Sequence, residues 1–189
     1  MKAAVLHGIN EPLKIEEVPV PSLSSGEVLV KLKAASLNKR DWWIQRGQYA
    51  GLKFPIIVGS DGAGMVDAIG ENVDRNLIGK ETVIYFVDSW GNNERFQSKD
   101  ATLLGLPDNG CLAQYVKVKA EQIFSKPKNL SFEETTALPV AGVTAYRALF
   151  AKGNCKVGDK VLVSGVGGGA GTFALQFAVA AGAEVWVTS

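Results

Sequence analysis

The sequence predicts an α+β chain that closes in α/β: a mainly-β domain, built as a small barrel or folded sheet, then the opening βαβ unit of a parallel sheet. Three observations predict it. Short apolar or alternating runs separated by Gly, Pro, Ser and Asn fill residues 1 to about 125. From Leu130 the pattern turns helical. Residues 160–189 then read strand, glycine-rich turn, helix, strand.

In the first part, the strand candidates are "AAVL" (3–6), "LKIEEV" (13–18), "EVLVKLKAASL" (27–37) and "LAQYVKVK" (112–119). "SLSSGE" and "IGENVDRNLIGK" are turn-rich joints between such runs. Residues 88–110 hold few apolar side chains, and a loop of that length inside a compact domain reads as a functional lobe or a mobile excursion. In "SFEETTAL", Ser131 and Glu134 have the spacing of a capping box. "VAGVTAYRALFA" (140–151) reads as a helix, although its Gly and β-branched residues weaken the pattern. "KVLVSG" is a strand, "GGAGTFALQFAVAA" opens a helix that Gly182 ends, and "EVWVTS" is a second strand. The expected division is 1–125 and 126–189.

Composition narrows the function classes. The 189 residues are 47% hydrophobic and 21% charged, an ordinary globular balance. A net charge of +1 gives no general pull toward nucleic acid or membranes. Two cysteines and one histidine exclude a disulfide framework and suit a reducing compartment. The N-terminal stretch has neither the long apolar core nor the cleavage site of a secretion signal, and no glycine-free apolar run is long enough to span a bilayer. A cytoplasmic protein acting on a small molecule is the expectation.

"GVGGGAG" (165–171) carries the most specific chemistry. Gly165, Gly168 and Gly171 are spaced G-x-x-G-x-x-G, with Gly169 and Ala170 between the last two. In such a loop one glycine makes the tight turn, one lets backbone approach a pyrophosphate, and one lets helix lie on strand. Exposed N–H groups and the helix dipole then favour phosphate. A glycine triplet alone is weak, but this one follows an apolar strand and opens an alanine-rich helix, the context that dinucleotide binding needs. The competing reading is a tight turn with no ligand. An acid about 20 residues on would mark NAD. That place offers Thr188 and Ser189, and the nearest acid, Glu184, begins the strand at the wrong end. Small hydroxyls without an acid suit a 2′-phosphate, so NADPH is expected in preference to NADH.

"LNKRDWW" (37–43), "GSDGAG" (59–64) and "AGVTAYRAL" (141–149), in that order before the glycine loop, resemble the medium-chain dehydrogenase/reductase superfamily. The resemblance covers the whole chain and implies a GroES-like N-terminal domain followed by the start of a Rossmann domain. It also implies a homo-oligomer at full length. Zinc enzymes of the superfamily carry Cys where this chain has Asn38 and His-Glu where it has Ser60-Asp61; a further ligand usually falls in "PVAG" (139–142). Zinc wants thiolate and imidazole. Only Asp61 of these positions can ligate, and 88–110 holds no cysteine for a structural site. The chain is therefore similar to the zinc-free quinone and enoyl reductases.

That resemblance implies roles. Asn38 is a polar group near the nicotinamide ribose, Tyr49 is a proton donor to the acceptor, and Thr144 lies beside the nicotinamide. Each has a plainer reading: a turn Asn, a packed Tyr, a helix Thr bonded to its own backbone. Asp41 and Asp61 read first as salt-bridge partners around Arg40. The expected activity is NADPH-dependent hydride transfer to a quinone or an α,β-unsaturated carbonyl, without zinc. An alcohol or aldehyde dehydrogenase is the alternative enzyme, and a non-catalytic, truncated GroES-like module is the alternative of another class. An isolated two-stranded parallel sheet is marginal, so the chain is expected to be part of a longer polypeptide.

Overall fold

A computed structural model describes residues 1–93 and 95–189. The chain forms two compact units, Met1–Ala137 and Leu138–Ser189.

In the first unit, strands β1 (Lys2–Leu6), β2 (Lys14–Glu17) and β3 (Glu27–Ser36) lead to helix α1 (Lys39–Gln45). Then follow β4 (Ile56–Ile57), β5 (Asp61–Ile69), β6 (Glu81–Ile84), β7 (Val87–Asp88), β8 (Thr102–Leu103), β9 (Tyr115–Lys119), β10 (Ile123–Ser125) and helix α2 (Phe132–Thr136). An antiparallel sheet of order β10-β6-β5-β3-β9 and a smaller one of order β2-β1-β4 make the framework, with β7 and β8 as a short ribbon. Val28, Val30, Val66, Ile84, Val116 and Val118 fill one core, and Leu6, Ile44, Ile56, Val58 and Leu106 a second.

The four expected strands of this unit form, with one adjustment. β9 begins at Tyr115 rather than Leu112, because the backbone at 112 and 113 pairs elsewhere. The Ala4 N–H donates to the Leu112 carbonyl at 2.8 Å, and Ala113 bridges to Ala3. β5 carries no strand pattern in its sequence, since "DGAG" does not alternate. It is nevertheless a nine-residue strand paired along β3. The glycines are what the pairing needs: a Cβ on Gly64 would lie 2.1 Å from the Lys31 carbonyl oxygen. Helix α1 lies in a stretch for which the sequence pattern predicts no element. The expected capping box holds: Ser131 Oγ accepts the Glu134 N–H at 3.2 Å, and the Glu134 carboxylate accepts the Ser131 N–H at 2.8 Å. Ser36 Oγ on β3 donates to the Thr136 carbonyl at 2.8 Å, so α2 is tied to the first unit.

The second unit holds helices α3 (Pro139–Tyr146) and α4 (Gly169–Ala180) with strands β11 (Lys160–Val163) and β12 (Glu184–Val187). β11 and β12 run parallel with Leu162 opposite Trp186, the expected βαβ unit. The helix expected over 140–151 stays α-helical to Tyr146 and continues as a wider π-helix over Arg147–Lys152, with the Gly153 N–H reaching back five residues to Ala148. Tyr146, Phe150, Phe173 and Phe177 form an aromatic row along α3, the π-helix that continues it, and α4. Among the described residues, no helix is long and apolar enough to cross a membrane.

Candidate active site

The polar residues of the first unit's motifs converge. Asn38 caps α1, and its own N–H donates to the Asp41 carboxylate at 2.8 Å. An acid in the first turn suits the positive end of a helix. The other Asp41 oxygen accepts the Gly59 N–H at 3.1 Å, which locks α1 to the segment entering β5. Burial pushes the Asp41 carboxyl above its usual range, against the opposing pull of the Asn38 and Gly59 amides and of Arg40.

Asp61, the first residue of β5, is fully buried. Its Oδ2 accepts from the Asn38 side-chain amide at 2.8 Å and from Ser36 Oγ at 3.3 Å. The Asn38 carboxamide is therefore oriented: Nδ2 is committed to Asp61, and Oδ1 is the end left to accept.

Arg40 is the centre that the sequence reading treated only as a salt-bridge partner. It is buried, and its guanidinium donates to Ser60 Oγ, to the Leu104 carbonyl at 2.6 Å and to the Leu106 carbonyl at 3.1 Å. Ser60 Oγ in turn donates to the Leu104 carbonyl at 2.9 Å. The end of the long 88–110 segment is thus anchored, not loose. Arg40 Nε also donates to the Tyr49 phenol oxygen at 3.4 Å, with the guanidinium 5.1 Å from the ring centre. A guanidinium cannot accept, so the phenol's own hydrogen must point to something else. Tyr49 stays partly exposed. The spacing Asn38-x-Arg40-Asp41 puts cap, cation and acid in one helical turn, but it carries no sign of the acceptors at 104 and 106 that Arg40 binds.

Cys111 is fully buried, and burial with the nearby Asp61 and Asp41 charges drives its thiol far above the usual range. Among the described residues, no three His, Cys, Asp or Glu side chains converge to hold a metal ion. At the positions where zinc relatives place ligands, this unit offers an amide, a hydroxyl committed to Leu104, and one carboxylate already accepting from two donors. That donor set does not fit zinc.

In the second unit the glycine loop joins β11 to α4. Gly165 has φ +69°, and a Cβ on Gly171 would lie 2.7 Å from the Gly165 carbonyl oxygen, so the turn closes only without side chains there. Gly168 caps α4, and Gly169 approaches Ala141 of α3. The described backbone hydrogen bonds leave the N–H groups of Gly167, Gly169, Ala170 and Gly171 without an acceptor. They crowd at the start of a twelve-residue helix, a group fitted to phosphate. Thr188 and Ser189 follow β12 at this end, and Glu184 lies at the opposite end of the strand. Thr144 is an exposed residue of α3.

The first unit is thus an antiparallel β domain carrying this Asn-Arg-Asp cluster, and a glycine-loop βαβ unit follows it in the chain. The chain belongs to the medium-chain dehydrogenase/reductase superfamily, matching the alcohol dehydrogenase GroES-like domain family over residues 24–128. It is 46% identical over 183 residues to a zinc-type alcohol dehydrogenase-like protein of Schizosaccharomyces pombe, covering 95% of this chain and 53% of that one. It is 36% identical over 190 residues to a crotonyl-CoA carboxylase/reductase of Cereibacter sphaeroides, covering 93% and 44%. The crystal structure of an NAD-dependent alcohol dehydrogenase superposes with a TM-score of 0.92 at 37% identity, over all of this chain and 58% of that one. The chain spans about half the length of the curated relatives it matches.

Proposed function

We propose that the protein is an NADPH-dependent reductase that delivers hydride to an electron-poor acceptor, a quinone or an α,β-unsaturated carbonyl, without zinc. The observation that carries this reading is the donor set around Asp61. With Asn38 and Ser60 where a metal enzyme needs thiolate and imidazole, the described residues of this unit offer no metal site to polarise an unactivated alcohol. An acceptor that is already electron-poor needs no such help. The crotonyl-CoA reductase relative acts on a substrate of that kind by its name.

The residues divide the work. Bound reduced nicotinamide supplies the hydride. The amides of Gly167, Gly169, Ala170 and Gly171 hold its pyrophosphate, and the absence of an acid at the end of β12 favours the 2′-phosphate form. Asn38 offers Oδ1 toward a ribose hydroxyl while Asp61 fixes Nδ2. Tyr49, its oxygen already accepting from Arg40, can direct its proton only outward, to the anion that hydride addition leaves on the acceptor.

The test is a titration of NADPH and NADH by nicotinamide fluorescence, with turnover of an enone, a quinone and a primary alcohol and a metal assay. Tighter binding of NADPH, enone or quinone turnover and no stoichiometric zinc are expected. Stoichiometric zinc with alcohol turnover would sink the proposal. Tyr49→Phe should lower kcat on an enone by about 100-fold, within the usual range for a lost general acid. An unchanged kcat removes Tyr49 from the chemistry.

A further inference from the structure

Thr188 sits where a contact to the coenzyme's 2′-phosphate would be sought, yet its groups are already engaged. Its N–H donates to the Val163 carbonyl at 3.1 Å, continuing the parallel pairing of β12 with β11 one residue past the strand. Its carbonyl accepts the Val166 N–H at 3.0 Å, and its side-chain Oγ1 accepts the Gly165 N–H at 3.2 Å. Ser164 Oγ lies 3.4 Å from the same hydroxyl. One residue thus takes up the first two amides of the glycine loop. Neither belongs to the phosphate cradle, and the Gly168 N–H, donating to the Gly165 carbonyl at 3.3 Å, is the third loop amide outside it.

We infer that Thr188 is a positioning residue: it clasps the first turn of the loop, at Gly165 and Val166, and so holds the amides of Gly167, Gly169, Ala170 and Gly171 converged before any coenzyme arrives. The clasp acts on a part of the loop with little side-chain support: Gly165 has φ +69° and, like Gly167, no neighbouring atom within 4 Å of where a Cβ would stand. Thr172 secures the other limb, its one hydroxyl hydrogen shared between the Val166 and Gly168 carbonyls at 3.0 and 3.1 Å. Val166 is therefore held on both sides, its N–H by Thr188 and its carbonyl by Thr172. A hydroxyl that accepts from Gly165 keeps one hydrogen to donate, and Ser164 stands within reach of it. Coenzyme discrimination then falls to groups other than Thr188.

The inference rests on the coenzyme reading above, and the experiment separates the two. Thr188→Val keeps the branched shape and removes the hydroxyl; Thr188→Ser keeps the hydroxyl. NADPH and NADH affinities are measured for all three proteins, together with hydrogen exchange of the Gly165 amide without coenzyme. Thr188→Val should weaken both coenzymes by the same factor, about fivefold for one lost hydrogen bond, leaving their ratio unchanged. The Gly165 amide should exchange faster by a similar factor, and Thr188→Ser should restore both. Selective loss of NADPH with NADH unchanged would make Thr188 a phosphate ligand and overturn the clasp. Unchanged affinities and unchanged exchange would also overturn it. Should the wild type bind neither coenzyme, the functional reading fails, while the exchange measurement still decides the clasp.

Discussion

The two units place their candidate functional groups in opposite ways. In the first, side chains hold side chains: Asn38, Arg40, Asp41, Ser60 and Asp61 are buried or half-buried and bonded to one another or to fixed carbonyls. In the second, the working groups are backbone amides on an exposed loop, and its glycines matter for what they lack. Chemistry on the first unit depends on which side chain stands at each position. Binding on the second depends on keeping space clear. Substitutions should therefore fail differently in the two places: by leaving polar groups unpaired in one, by filling a gap in the other.

The hardest test of that contrast is Arg40→Met. It leaves the Leu106 carbonyl without its donor and takes from the Leu104 carbonyl and Ser60 the bonds Arg40 makes to them, though Ser60 still donates to Leu104, and should cost about 2–4 kcal/mol in urea unfolding. A loss below 1 kcal/mol would mean that water reaches the cluster, and the contrast would break. Gly171→Ala comes next. The added methyl meets the Gly165 carbonyl, so both coenzymes should bind about tenfold more weakly, close to 1.4 kcal/mol, with little change in unfolding of the first unit. Undiminished binding would show that the loop yields easily. The smallest effect sharpens the picture of the first unit. Burial raises Asp41 above its ordinary value of 3.8, so the folded state holds that proton more tightly than the unfolded chain does. The stability it contributes is greatest below pH 3.8 and falls as pH climbs through the raised value. Unfolding free energies of Asp41→Asn and wild type, compared across that window, should shift in favour of the variant as pH rises. A flat difference would contradict the burial argument.

What the sequence reveals follows the same division. The glycine loop, its flanking strands and helix α4 are legible because they depend on local spacing: glycines at a turn, an apolar strand before, an alanine-rich helix after. The Ser131–Glu134 capping box is legible for the same reason. β5 is not, because "DGAG" forms a strand only through its pairing with β3, where Gly64 meets the Lys31 carbonyl. The role of Arg40 is hidden as well. Its acceptors at 104 and 106 lie more than sixty residues away along the chain, and no periodicity encodes that meeting. Asn38 and Asp61 were picked out by their motifs, but their direct bond is visible only once α1 and β5 are in place.

Cys111, described above, and the chain's other thiol, Cys155, stand in contrasting surroundings. Cys111 is sealed under β5 with its thiolate strongly disfavoured, whereas Cys155 lies in the partly exposed turn ahead of β11. A maleimide dye added to the native protein should therefore attach at one place, with no engineered mutation. Slow uptake of a second equivalent would then time each opening of the β-rich half, giving the molecule its own stopwatch.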